Sequence, residues 1–313
     1  MNRRLKLTLI WTGAVVATIL LLVGGLVWYV YNSAQQTAAK IYDDLEPVNP
    51  AYISKDTDVN KATEPMKNLD PFTVLVLGVD ERKNDRGRSD TMIVLTVNPV
   101  KQSILIFNIP RDTRTEIIGH GTIDKINHAY AFGGVEMSIQ TVENFLDYPI
   151  DYYAKVNMEG FARLIDLIGG VEVDNPFSFD YEGHKFDQGH LSLNGTLALK
   201  YSRMRYDDPR GDFGRNTRQR DILQEVMNRA MSFSNVTQLQ SILGELKDSV
   251  KTNITFDEMK QFVTDYRPQI HKIDMVEVQG KGQIINRIWY YNVENDERTR
   301  IHNKIKEHLQ KVS

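Results

Sequence analysis

The chain has 313 residues, 41% apolar and 25% charged, a balance that excludes a wholly disordered polypeptide and allows one large domain or two small ones. It holds no cysteine, which excludes disulfides, thiol catalysis and thiolate-bound zinc or iron–sulfur centres. The formal charge of -3 is uneven: residues 1–40 carry four cations and no acid, and the remainder, with 34 cations against 41 acids, is net acidic, which argues against a nucleic-acid partner.

Residues 1–6 form a short basic stub, with Arg3, Arg4 and Lys6. From Leu7 to Tyr31 there is no charged residue, and Trp28, Tyr29 and Tyr31 gather at one end. As a helix rising ~1.5 Å per residue, such a stretch crosses a hydrocarbon core of ~30 Å with tilt to spare. It is too long for the apolar core of a cleaved signal peptide, so it reads as an uncleaved anchor. The cations before it predict a cytoplasmic stub and an extracellular body: a single-pass type II protein of the cell membrane.

Residues 32–70 are polar and broken by Pro47, Pro50 and Pro65, as expected of an extracellular stalk with a short helix in its first part. The texture changes at Pro71. Phe72–Val79, Met92–Val97 and Ser103–Ile109 are apolar, β-branched runs bounded by turn residues, which fits strands buried on both faces. Helical periodicity is expected over Val135–Leu146, Glu159–Ile168, Asn216–Met231, Val236–Val250 and Glu294–Val312, with further strands at Tyr152–Val156 and Val171–Val173. The mixture predicts one α/β domain over 71–313, a mixed central sheet sandwiched by helices.

Three segments carry more charge than a sheet edge requires. Asp80 closes the first buried strand and Asp90 opens the next, so a loop could bring the two carboxylates together where ligands of open α/β sheets collect. Oxygen ligands of that kind select a hard cation, Mg²⁺ or Mn²⁺, best one shared with a phosphate; the alternative is a turn capped by Asp and solvated by Arg. Arg111 and Asp112 follow the third strand in the same manner. The third segment runs from Tyr201 to Arg220 and holds Arg203, Arg205, Arg210, Arg215, Arg218 and Arg220. If 203–205 is extended, Arg203 and Arg205 share a face and repel, a penalty that a bound polyphosphate would reverse. Arg215, Arg218 and Gln219 would then lie in the first turns of the next helix, whose positive end also favours an anion. Salt bridges to Asp207, Asp208, Asp212 and Asp221 are the competing use of these arginines.

Read together, LVLGVDER (75–82), GRSDTM (87–92), NIPRDT (108–113), DKINHAYAFGG (124–134), DYY (151–153), LIGGVEV (167–173), LNGTLALKYSRMR (193–205) and GDFGRNTRQRDIL (211–223) resemble the LytR-CpsA-Psr family of bacterial cell-wall ligases. The blocks stand in family order over about residues 71–225, behind a single anchor, and are most similar to the wall teichoic acid group. The resemblance implies transfer of a glycopolymer of the teichoic acid class from a polyprenyl pyrophosphate carrier to a sugar hydroxyl of peptidoglycan, leaving a phosphodiester and releasing polyprenyl phosphate. It also implies that Asp80 and Asp90 hold Mg²⁺, and that Arg82, Arg88, Arg111, Arg203, Arg205, Arg215 and Gln219 meet the pyrophosphate. Asp80, Asp90, Arg111, Arg203 and Arg205 are the expected catalytic set, with Asp112 or Asp212 as candidate bases. A hydrolase acting on the same lipid, a capsule or secondary-polysaccharide ligase, and a non-catalytic binder are the rival readings. A transcriptional regulator would need a cytoplasmic DNA-binding element, for which six residues do not suffice.

Overall fold

The computed structural model describes residues 31–45, 66, 69–81, 87–205, 207–230 and 236–310. The span expected over 7–31 lies outside these residues except for Tyr31, as do Arg82 and most of the expected stalk.

Six strands make the central sheet. β1 (Phe72–Val79), β2 (Ser89–Asn98) and β3 (Ser103–Asn108) form an antiparallel meander, and β6 (Tyr152–Asn157) and β12 (Lys272–Glu277) flank it in parallel pairings. β11 (Val250–Thr252) closes the edge beside β6, giving the order β11-β6-β1-β2-β3-β12. The three apolar runs are strands as expected, and β3 is buried at every position.

Side-chain alternation divides the core in two. Leu75, Leu77, Val79, Met92, Val94, Phe107 and Ile109 face α2 (His128–Leu146) and α8 (Asn295–Leu309), packing on Val142, Phe145, Ile301 and Ile305. Phe72, Val74, Ile93, Ile104 and Ile106 face the opposite side, with Leu223 and Met227 of α5 (Asp212–Ala230) against them. A third cluster joins α3 (Met158–Leu167), α4 (Gly195–Arg203) and α5 to β7 (Val171–Asn175) and to β8 (Phe179–Tyr181), β9 (His184–Phe186) and β10 (Gly189–Leu193).

The helix expected over Val135–Leu146 is present, and the non-helical Gly133 and Gly134 separate it from a shorter helical segment that begins at His128. One sequence expectation changes. The expected stalk is docked over 31–45. A helix over 31–41 (α1) buries Ala34 and Ala38 against Phe256, and Tyr42 pairs with Thr252. Tyr153 Oη donates to the Asp43 carbonyl at 3.0 Å, fixing the exit from α1 to the sheet.

Candidate active site

β1 runs toward the edge of the sheet where β2 begins and β3 ends, so Asp80, Asp90 and Arg111 meet there although they lie in three segments. One cavity of about 420 Å³ opens among them. Its ionic side holds Asp80, Asp90, Arg111, Arg203, Arg215 and Gln219; its apolar side is built by Val76, Ile93, Phe161, Leu164, Leu199 and Val226, among others. The sheet face with Val76 and Ile93 is therefore the floor, and α3, α4 and α5 are the walls.

Asp90 reaches this cavity through a fault in the strand. Gly78 pairs with Thr91 and Val79 with Ser89, which leaves Asp90 as the extra residue of a bulge. On a regular strand Asp90 and Thr91 would point to opposite faces; here both line the cavity. Asp90 Oδ1 accepts from Arg111 Nη1 at 3.0 Å and from Asn127 Nδ2 at 3.4 Å. Asn127 is buried, and its Oδ1 has no hydrogen-bond partner among the described residues.

Asp80 is held by its backbone and by its neighbour. Its N–H donates to the Arg88 carbonyl at 3.2 Å, and Gly87, at φ 71°, passes so close that a Cβ there would stand 2.1 Å from the Asp80 carbonyl oxygen. Glu81, the next residue, takes a hydrogen bond from Tyr130 Oη and an ion pair from Lys155 Nζ at 3.0 Å. This clamp ties the end of β1 to α2 and β6.

The arginine-rich segment divides by role. Residues 203–205 are not extended: Arg203 ends α4, and Arg205 lies in the following loop outside the cavity lining. Arg215 and Gln219 fall one turn apart on α5, and both line the cavity. Arg218 points elsewhere. It is 1% exposed, pairs with Asp208 at 2.5 Å, donates from Nε to the Tyr201 carbonyl at 3.1 Å and also donates to the Met204 carbonyl. Burial pushes the Asp208 carboxyl up, but its bonds from Arg210 and Arg218 outweigh that and hold it below the usual carboxylate range. Gly214 permits this: a Cβ there would lie 1.7 Å from Asp208 Oδ2. Arg218, expected near the anion, is thus a buried brace that fixes the loop between α4 and α5.

Arg88 is exposed and touches the site through its carbonyl, and its side chain is not part of the cavity lining. Asp112, one candidate base, is buried away from the cavity, 2.7 Å from Lys125 Nζ and 3.5 Å from Arg111 Nε. The side chain of Asp212, the other candidate, lies outside the described residues. Sequence reading missed Asn127, Asn157 and Ser202. Of these, Asn157 had a signal: it caps α3, its side chain accepting from Gly160 N–H, and so brings that helix's positive end to the cavity.

The ionic side offers hard oxygens and guanidinium forks, and the apolar side suits a hydrocarbon chain, so the cavity fits an amphiphile with an anionic head. The sequence profile described as the LytR_cpsA_psr family matches residues 28–307. The chain is 43% identical over 311 residues, 99% of each chain, to the polyisoprenyl-teichoic acid–peptidoglycan teichoic acid transferase TagU of Bacillus subtilis strain 168. The crystal structure of B. subtilis TagU covers 78% of this chain and 99% of its own, at 44% identity and a TM-score of 0.62. A crystal structure from Enterococcus faecalis, described as a transcriptional regulator, covers 79% and 90% at 36% identity and a TM-score of 0.71. With the family profile matching residues 28–307 and a TagU relative 43% identical over 99% of the chain, the protein is a member of the LytR-CpsA-Psr family.

Proposed function

We propose that this protein transfers an anionic glycopolymer of the teichoic acid class from a polyprenyl pyrophosphate carrier to a sugar hydroxyl of peptidoglycan. One observation carries the reading: a cluster of carboxylates and arginines opens into an apolar cavity within the same enclosure. A soluble phosphate ester would have no use for the apolar walls, and a simple lipid binder would have no use for the buried charges. The transferase relative named above supports the same assignment.

In this mechanism the carrier's hydrocarbon lies along Val76, Ile93, Phe161, Leu164, Leu199 and Val226, and its pyrophosphate lies among Arg111, Arg203, Arg215 and Gln219. Phosphoryl transfer asks the protein for position and charge neutralisation more than for covalent help. The acceptor hydroxyl oxygen bonds to the phosphorus next to the glycan, the bridging P–O bond breaks, and polyprenyl phosphate leaves into the arginine cluster, its phosphate or solvent taking the hydroxyl proton. Arg111, fixed by Asp90, is placed to balance charge that builds on the transferring group. Asp112 is tied to Lys125 outside the cavity, which argues against it as the base.

Mg²⁺ fits the donors present. Asp80 and Asp90 would hold it, and the buried Asn127 Oδ1 adds a neutral oxygen next to Asp90. Two carboxylates and an amide oxygen suit an ion that keeps several waters and shares a phosphate. When bound, such an ion would neutralise pyrophosphate charge and polarise the reacting phosphorus. The charge-free residues 7–31 would anchor the chain in the cell membrane as a single-pass type II protein, its domain outside, beside both the carrier and the wall.

The test uses the full chain in detergent micelles with a polyprenyl-pyrophosphate disaccharide, Mg²⁺ and peptidoglycan oligomers, followed by mass spectrometry. The expected product is the phosphodiester conjugate, absent with Arg111→Ala and absent with chelator. Free sugar phosphate without conjugate would replace the transferase by a hydrolase, and bound lipid without turnover would replace it by a carrier-binding protein.

A further inference from the structure

The charge-free run that starts at Leu7 ends at Tyr31, and Tyr31 is already packed on the domain. Its ring meets Phe256 edge-on at 5.7 Å, and Lys260 Nζ lies 5.6 Å from the ring centre. Both partners belong to α7 (Phe256–Gln261). Further along α1, Ala34, Ala38 and Ile41 are buried, and Lys251 Nζ donates to the Lys40 carbonyl at 2.8 Å. Asp43 N–H then donates to the Thr252 carbonyl at 2.9 Å. Contacts recur at each turn from Tyr31 to Asp43, so this stretch holds no free joint.

Strand register shows which end of the sheet receives the anchor. β1 and β6 are parallel, and Asn157, paired with Val79, lines the cavity beside the ionic mouth. β11 runs the opposite way: Val250 pairs with Val156 and Thr252 with Ala154, and Asn253 Oδ1 accepts from the Tyr153 N–H at 2.8 Å. The chain is thus leaving the mouth as it enters α7, where Glu258 accepts from Tyr152 Oη at 2.6 Å. Phe262 and Tyr266 follow and pack on Phe72, with ring centroids 6.5 and 5.3 Å from it. Phe72 opens β1, whereas Asp80 follows its last residue. Tyr31 therefore lies at the end of the sheet opposite the mouth, and the eight-residue strand between them, at ~3.3 Å per residue, is about 25 Å long. The cavity floor lies between these ends, since its Val76–Ile93 pair is nearer the anchored end than Asp80 is.

We propose that α1 and α7 form the membrane-facing surface of the domain, seated on the bilayer headgroups, and that the docked α1 holds the ionic mouth on the far side. The partner is the lipid–water boundary. Tyr31 is 44% exposed, and an aromatic ring beside a lysine on a flexible stem is what that boundary accepts. A flexible stalk would let the mouth sample every direction, but a packed helix fixes one. The proposal rests on residues 7–31 being the anchor. With the transferase reading added, the carrier's hydrocarbon runs down the cavity toward the bilayer, and its pyrophosphate stands raised toward the wall.

The chain has no cysteine, so single reporters can be placed where the proposal needs them. Asp257→Cys puts one on α7, and Glu159→Cys puts one in the first turn of α3, beside Asn157; both positions are exposed. The full chain goes into lipid vesicles whose headgroups carry a nitroxide, a short-range quencher. A fluorophore at 257 should be quenched several-fold more than one at 159. Equal quenching, or stronger quenching at 159, overturns the proposal. Ala38→Glu sets a charge against Phe256 and should undock α1, which brings the two signals together while the chain stays on the vesicles. A difference that survives this change overturns the role given to α1. The comparison of the two reporters needs no core substitution, so it decides the matter even if Ala38→Glu folds poorly. Flotation separates the two readings. A chain that does not float with the vesicles overturns the anchor and the proposal together; one that floats with both reporters equally quenched overturns the proposal alone.

Discussion

The two faces of the central sheet are built from the same strands and do opposite things. One face is closed: Leu75, Leu77, Val79, Met92 and Val94 meet α2 and α8 with side chains that fill the space between them. The other is left open where Val76, Gly78, Thr91 and Ile93 face α3, α4 and α5 across a cavity. Since the strands alternate, each residue of β1 contributes to one task only. The closed face supplies stability that the open face forgoes, and the charged groups at the sheet edge stay in place because the closed face holds the strand ends.

This contrast can be broken most sharply at the ionic mouth. Asp90→Asn should lower turnover by at least about a hundredfold, since in the proposed mechanism Asp90 fixes the Arg111 that balances charge developing in the transition state. Its thermal midpoint should stay within a few degrees of wild type; a large loss of midpoint would mean that Asp90 serves the fold.

The next effect separates the faces by tolerance to bulk. Val142→Trp, in the closed core, should destabilise by about 1–3 kcal/mol or prevent folding, because extra volume there forces off-rotamer packing. Leu164→Trp, on the cavity wall, should fold normally and raise the donor KM roughly tenfold for long carriers while sparing short ones. Equal behaviour of the two variants in denaturant titrations and carrier-length kinetics would erase the distinction.

Tyr130 belongs to the closed face and yet reaches the site. Tyr130→Phe removes its hydrogen bond to Glu81 and keeps the ring in the core. A loss of about 1 kcal/mol is expected, read as a several-fold weakening of Mn²⁺ binding, with the midpoint almost unchanged. Unaltered Mn²⁺ affinity would reduce the clamp to a packing contact.

An effect of similar size is a pH dependence confined to the closed face. His308, near the end of α8, lies 2.7 Å from Thr96 Oγ1 and 2.9 Å from Ser103 Oγ. Burial, then the nearby Lys101 charge, push its imidazole down to about 4, against a weaker upward pull from Asp274. Between the ordinary histidine value of ~6.5 and about 4, the unfolded chain binds a proton that the folded chain refuses. Stability should therefore fall as pH falls through that window and level off below it. After allowance for partial exposure, the loss is about 1–2 kcal/mol. Urea unfolding at neutral and mildly acidic pH measures it, and His308→Gln should flatten the dependence.

How much was legible in the sequence differs between these regions. The apolar runs at β1, β2 and β3 were readable because strands buried on both faces need uninterrupted Val, Ile and Leu, whichever face each residue takes. The division of Arg215 from Arg218 was not, because it turns on three positions of helical rotation and on a buried Asp208 that only the folded loop brings near. The pairing of Asp112, a candidate base, with Lys125 was illegible for the same reason: Lys125 is remote in sequence from Asp112 and only the fold brings the two together.

By itself the sequence determined the α/β class, the strand runs and the placing of Asp80, Asp90 and Arg111 at strand ends, since these follow from local periodicity and composition, and it carried the family blocks as a resemblance. The tertiary structure alone decided which strand face is hollow, that a bulge turns Asp90 into that hollow, and which arginines brace and which line the hollow. Those outcomes depend on register and on contacts between distant segments, where one residue of slip reverses every side chain, and no local pattern encodes that.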